Sequence, residues 1–204
     1  MNLKKVYIFV FLIILIDQAL KIYIKTNFLI GDNGQYKVFG LDWFIIRFVE
    51  NDGMAWGTVI PGKYGKLFLT LFRIVAVVAI GFWLKDSIKK NASRYLITAI
   101  TLIFAGAIGN ILDSIFYGVI FSESNTIHLA EFTTENNYGR WMYGKVVDMF
   151  YFPIIQNEQF PEWVPFVGGQ RFTFFNAIFN IADIAISTGV GILIIFNKRA
   201  FAKK

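Results

Sequence analysis

The sequence contains no cysteine and a single histidine. The first absence removes disulfide cross-links, thiolate nucleophiles and thiolate metal ligands, and it leaves the redox compartment unreadable. The second removes any multi-histidine metal centre: there is no H-E-x-x-H pair, and His128 sits in a poorly patterned loop where a surface role is the simplest reading. No G-x-S-x-G turn presents a serine, and no G-x-x-x-x-G-K-[ST] loop cradles a phosphate. Charge is also scarce, at 17% of residues, against about a quarter in ordinary soluble domains. What fills the 204 residues is apolar: 56% are hydrophobic, 18% aromatic, and the mean hydropathy is +0.54.

The apolar residues are clustered rather than spread. Four stretches are long enough to cross a bilayer, at roughly 20 mostly apolar residues each: Val6–Ile24, Leu67–Leu84, Tyr95–Phe121 and Phe174–Phe196. The sequence therefore predicts one integral membrane domain over residues 1–204, an all-α bundle of four spans. The net charge of +6 does not point to nucleic acid, because the basic residues mark topology. Lys4 and Lys5, then Lys85, Lys89, Lys90 and Arg94, then Lys198, Arg199, Lys203 and Lys204 make ten of the twenty basic residues in three short segments. The positive-inside rule predicts that all three are cytoplasmic, and with them both termini. The first apolar run contains Asp17 and Lys21 and lacks an A-x-A-like cleavage site, so it reads as a retained span rather than a secretory signal. Loops 25–66 and 122–173 then face outside. Loop one has a β-prone centre between Gly and Asn clusters, which predicts a small sheet on the outer face of the bundle.

Ionisable residues inside a membrane are rare and by default functional. Five occur here: Asp17 and Lys21 in the first span, Arg73 in the second, Asp113 in the third and Asp183 in the fourth, with Asn110, Asn176 and Asn180 as polar companions. With the predicted topology each lies roughly 5 to 15 Å below the external surface, at 1.5 Å rise per residue. A buried polar site open to the outside accounts for that shared level. Structural readings stand beside it: Asp17 and Lys21 form a self-neutralising i, i+4 pair, and Arg73 can snorkel outward. Asn176, Asn180 and Asp183 would form one stripe, whose carboxylate has no obvious basic partner. Ala105 with Gly109, and Ala185 with Gly189, repeat the small-xxx-small spacing of closely packed helices.

With thiols, histidine clusters and nucleotide loops excluded, carboxylates remain. Two adjacent aspartates can share one proton, one acting as base on a water while the other polarises a carbonyl. Asp183 is one candidate. Asp148, in an apolar run outside the spans that would dip against the bundle, is the second, and Asp113 is its rival.

Five motifs, in order, carry a resemblance. They are DQALK from Asp17 to Lys21, FVENDGMAWG from Phe48 to Gly57, GAIGNILD from Gly106 to Asp113, VVDMF from Val146 to Phe150, and FNIAD from Phe179 to Asp183. Together they resemble the motif set of the bacterial lipoprotein signal peptidases, type II, over nearly the whole chain. The resemblance implies an aspartic intramembrane endopeptidase that removes signal peptides from diacylglyceryl-modified prolipoproteins just before the lipidated cysteine. It implies a catalytic pair at Asp148 and Asp183, and a pocket shaped by Asn51, Asn110, Asp113, Asn180, Asp17 and Lys21, with a β-cradle corresponding to loop one. It implies no metal or cofactor, lipidated prolipoproteins and membrane lipid as partners, no nucleic acid, a monomer, and a bacterial inner-membrane location with the site toward the outside. Two departures stand out: Ser114 replaces the arginine that usually follows the third-span aspartate, and the loop stretch from Ser122 to Lys145 is longer than the compact family pattern. Arg73 or Lys21 is then left as the partner of Asp113.

Two other classes compete. A small proton-coupled transporter would line both halves of the membrane with carboxylates, whereas the cytoplasmic half here is nearly free of ionisable groups. A non-enzymatic assembly subunit would use the polar stripe as interhelical glue and tolerate asparagine at Asp183.

Overall fold

The computed structural model describes residues 3–52, 64–133 and 135–202. The end of the second motif, Gly53 to Gly57, lies outside the described residues. Among the described residues, three helices are long and apolar enough to cross a membrane: α1 (Leu3–Asn27), α2 (Gly65–Lys89), and α3 (Arg94–Leu112) with its continuation to Ile120. At 25 residues, α1 and α2 each extend about 37 Å, more than the roughly 30 Å hydrocarbon thickness of a bilayer. Their outward residues are apolar, among them Phe11, Leu15, Phe72, Val75 and Phe82, as contact with lipid requires. This is a membrane protein. The tight α2–α3 connection follows from Asn91, which takes φ 49°, a left-handed conformation that asparagine tolerates after a helix end, and from Ser93, whose side chain caps the Tyr95 N–H at 3.2 Å.

Beyond Leu112 the chain widens into a π-helical turn, Asp113–Tyr117, and closes with α4 (Gly118–Ile120). The loop before β3 (Val146–Tyr151) docks on this turn: the Gly144 N–H donates to Ser114 O and the Gly139 N–H to Gly118 O, both at 2.8 Å. A side chain at Gly144 would run into the Asp113 carbonyl, so only glycine allows that approach.

β1 (Tyr36–Lys37) and β2 (Ile45–Asn51) pair in loop one, and β2 continues into an antiparallel pairing with β3 that sets Val49 opposite Asp148. β4 (Ile155–Gln159) and β5 (Arg171–Phe174) form a separate hairpin, and β6 (Ile178–Phe179) closes the main sheet in the order β1-β2-β3-β6. The expected cradle therefore exists, but loop one supplies only half of it. Loop 122–173 supplies β3, whose apolar run around Asp148 is buried along nearly its whole length, and the stretch expected to open the fourth span supplies β6.

The fourth helix needs a second correction. Phe174–Phe179 was expected to be helical, yet α5 covers Ile181–Ile195, followed by the short α6 (Asn197–Ala200). Phe175 adopts φ 64°, which breaks any helix there, and Asn180 caps α5 with Asp183 in a reciprocal capping box. Asn176 thus leaves the expected stripe; it is exposed and accepts a hydrogen bond from the Tyr151 hydroxyl at 3.0 Å. At 15 residues, α5 spans only about 22 Å.

α3 is the central element, packed against α1, α2 and α5. It meets α5 closely through small residues: a Cβ on Gly106 would stand 2.3 Å from Ala182 O and one on Gly189 2.7 Å from Ala99 O, while on the α1 side a Cβ on Gly109 would stand 2.6 Å from the Asp17 carboxylate. Two apolar clusters result. Val6, Val10, Leu84, Leu96, Ile97 and Ile100 pack at one end; Ile24, Phe48, Tyr117, Phe121, Val147 and Met149 pack at the other. The polar residues of the spans lie between them.

Candidate active site

α1 presents Asp17, Gln18 and Lys21 toward α3, and both Asp17 and Lys21 are fully buried. The Lys21 ammonium reaches Asp17 at 2.9 Å, Asp113 at 2.8 Å and the Asn110 side-chain oxygen at 2.8 Å. Of the two partners the sequence leaves open for Asp113, the structure pairs it with Lys21. Ser114 occupies a small buried space beside it, donating to the Asn110 carbonyl at 3.0 Å. Arg73, half-buried on α2, does not pair with Asp113: it lies within the field of Asp183 and forms no salt bridge among the described residues.

Asp113 is spoken for. One carboxylate oxygen accepts from Gln18 Nε2 at 2.8 Å, the other from Lys21 and, more weakly, from the Val147 N–H at 3.3 Å. Asp17 in turn accepts the Ala182 N–H at 2.9 Å, one of the free amides at the start of α5.

Asp148 and Asp183 stand differently. β3 carries Asp148 into the interior at 3% exposure. Among the described residues its two oxygens accept from amide groups: Asn180 Nδ2 at 2.7 Å and Asn51 Nδ2 from the end of β2. Asp183, half-buried in the first turn of α5, accepts from Asn110 Nδ2 at 2.8 Å and from the Asn180 backbone N–H at 3.1 Å. Asn180 joins the two acids, because its side-chain oxygen accepts the Asp183 N–H at 3.0 Å while its amide reaches Asp148. Neither carboxylate has a salt bridge among the described residues. Burial, with the Asp183 charge beside it, pushes the Asp148 carboxyl up to about 8; Lys21 and the two asparagine amides pull the other way without prevailing. A proton can therefore rest on Asp148 near neutral pH.

All eight expected site residues thus meet in one layer, in two groups: Asp17, Lys21 and Asp113 as an ion-paired triad, and Asn51, Asn110, Asn180, Asp148 and Asp183 as an acid pair held by amides. The sequence reading missed Gln18, which also donates to Gly109 O at 3.1 Å and accepts from the Tyr117 hydroxyl at 3.2 Å. Its position inside an apolar span, next to Asp17, was the available signal. It also missed Lys25, fully buried and eight residues beyond Asp17 on the same face of α1.

Residues 9–198 match the family model described as "Signal peptidase (SPase) II". A protein named lipoprotein signal peptidase from Porphyromonas gingivalis is 43% identical over 94% of this chain and 82% of its own length. One of the same name from Amoebophilus asiaticus is 38% identical over 96% of this chain and 78% of its own. A solved bacterial membrane enzyme, 24% identical, shares the fold with a TM-score of 0.63 over 99% of this chain and 93% of its own. With a family match that runs from the first helix to the last, this chain belongs to the signal peptidase II family of membrane proteases.

Proposed function

We propose that the protein is an aspartic endopeptidase that cuts diacylglyceryl-modified prolipoproteins just before the lipidated cysteine, with Asp148 and Asp183 as the catalytic pair. The observation that carries this reading is the contrast between the acids: Asp17 and Asp113 share the Lys21 ammonium, whereas among the described residues Asp148 and Asp183 are met by amide donors and are bridged by Asn180. Asp148, which keeps its proton to about pH 8, donates it to the scissile carbonyl oxygen. Asp183 takes a proton from the attacking water, whose oxygen bonds to the carbonyl carbon. The tetrahedral diol collapses as Asp183 passes its proton to the leaving amine and a hydroxyl proton returns to Asp148, so the C–N bond breaks and both acids are restored.

Asn51, Asn110 and Asn180 orient the pair, and Asp17, Lys21 and Asp113 hold α1, α3 and the start of α5 together beneath it. In this reading α5 is the fourth span of a single monomeric domain. Both termini are cytoplasmic, the site opens toward the outside, and no cofactor takes part. A cleft at the outer level of the bilayer suits a substrate that is itself a membrane helix with lipid attached beyond the cut. The transport alternative needs carboxylates in both halves of the membrane, but the buried ones, Asp17, Asp113 and Asp148, cluster with Asp183 between the two apolar packs.

The test is incubation of the purified protein with a lipidated prolipoprotein, followed by mass analysis of the products. Cleavage before the modified cysteine, lost in Asp148→Asn and in Asp183→Asn, is expected. Turnover by Asp148→Asn alongside an inactive but folded Asp113→Asn would make Asp113 the partner of Asp183.

A further inference from the structure

A second buried charged cluster lies beyond the acid pair, in the outer apolar pack. Lys25, in the last turn of α1, is fully buried and paired with Glu50, whose side chain is 2% exposed. Lys25 also donates to Ser124 Oγ at 2.9 Å, and Ser124 donates to Glu50 at 3.2 Å. The ammonium sits 4.9 Å from the centre of the Tyr138 ring and 5.3 Å from that of Phe121. The other oxygen of Glu50 faces Lys145 at 3.4 Å.

These partners come from both sides of one joint. Glu50 and Asn51 are consecutive in β2, so their side chains point to opposite faces of the strand. Glu50 reaches α1 through Lys25 and the approach to β3 through Lys145, while Asn51 reaches Asp148 on β3. Burying an ion pair of this kind gives little net stability, since desolvation offsets most of the attraction. What it fixes is position. The end of β2 follows directly on Glu50; the ladder to β3 and the packing of Phe48 with Ile24 and Met149 hold the strand, and Glu50 adds a charged tie at its end to Lys25 on one side and Lys145 on the other. We propose that Glu50, held between Lys25 and Lys145, is a positioning residue for the cleavage reaction: it sets the end of β2 so that the Asn51 amide meets the Asp148 carboxyl. The inference rests on the catalytic role proposed above for Asp148.

The test is a double-mutant cycle between Glu50→Asp, which keeps the charge and shortens its reach by one methylene, and Asn51→Ala. Two quantities are read on purified protein in detergent: cleavage of a lipidated prolipoprotein, and the pH at which the stability contribution of Asp148 changes. The charged groups facing Asp148 are Asp183 from α5 and Lys21 from α1, with Asn180 and Asn51 as neutral donors; Glu50→Asp alters none of them directly. Glu50→Asp is expected to lower kcat about tenfold with KM nearly unchanged, and to raise the Asp148 transition by about one pH unit as the amide donor is misplaced. Neither effect should appear when residue 51 is already alanine. Equal effects in both backgrounds overturn the clamp, as does a lower melting temperature with kcat and the transition unmoved. If Glu50→Asp does not fold, Lys145→Gln, at the partly exposed end of the cluster, replaces it in the same cycle. Because the transition is read from stability, the cycle closes even where Asn51→Ala is inactive. An active Asp148→Asn would instead sink the catalytic reading on which the clamp depends.

Discussion

Asp148 makes stability depend on pH in a way that one substitution should abolish. Its folded carboxyl titrates at about 8, against about 3.9 in an unfolded chain. Below pH 4 both states are protonated and the residue contributes nothing to the difference. Between about pH 4 and pH 8 the folded state binds a proton that the unfolded state has released, so stability falls by about 1.4 kcal/mol per pH unit. Above pH 8 the loss levels off. Between pH 5 and pH 8 the decline amounts to roughly 4 kcal/mol, or on the order of 10 °C in melting temperature for a chain of this size. Asp148→Asn removes the titration. It also sets one oxygen and one NH2 against two donors, Asn51 and Asn180, where the carboxyl group, protonated or not, offers two oxygens that can accept. That mismatch costs about 1–3 kcal/mol at every pH. The variant should therefore melt below the parent at pH 5 and above it at pH 9, with the curves crossing between. The assay is thermal unfolding of both proteins in the same detergent from pH 5 to pH 9. Parallel curves refute the reasoning, because they mean that Asp148 does not hold a displaced proton in the fold.

Three further outcomes follow from the same geometry. Lys21→Met strips Asp17 and Asp113 of their shared cation and should cost about 3–5 kcal/mol; an unchanged melting temperature in detergent would contradict the triad. Ser114→Arg forces a long side chain into a site 2% exposed whose neighbouring acid is already paired, so a loss of about 1–3 kcal/mol is expected in the same assay. Reporter fusions after Lys90 and Lys204 should read cytoplasmic and those between Thr133 and Tyr138 external; an external C-terminus would contradict the proposed orientation.

The helices were legible because a membrane span is a one-dimensional signal: length and apolarity suffice, and α1, α2 and α3 fall where the runs fall. α5 was misread at its start because Phe174–Phe179 is as apolar as a span. Apolarity does not say whether a stretch pairs as strand or winds as helix, and what decides here is the Asn180 cap and the left-handed Phe175, one a local hydrogen bond and the other a backbone angle. The sheet was half-legible for a similar reason. β2 alternates enough to be seen within loop one, but its partner β3 lies nearly a hundred residues on, and pairing across that distance leaves no periodic trace. The ionisable residues of the spans were visible singly, since each violates its surroundings. Which of them pair was not: Lys21 reaches Asp113 only because α1 and α3 cross at Gly109, where the missing side chain lets the Asp17 carboxylate approach.

The charge balance of the layer connects that packing to the proposed chemistry. Asp17, Asp113, Asp148 and Asp183 meet within a few turns of one another, and the cation in direct ion-pair contact with them is Lys21, which spends itself on the first two. Lys25 makes its ion pair elsewhere, with Glu50, and donates to Ser124. Amide donors soften the charge on Asp148 and Asp183 without cancelling it, and two uncompensated carboxylates in a low-dielectric interior repel each other strongly. The cheapest remaining neutraliser is a proton. A fold that keeps its lysine for structure and leaves the second acid pair short of positive charge thereby loads that pair with the one proton that an aspartic mechanism requires. A cation added beside Asp148 should for this reason slow cleavage at neutral pH even if it stabilises the protein, and the activity optimum should shift toward acid.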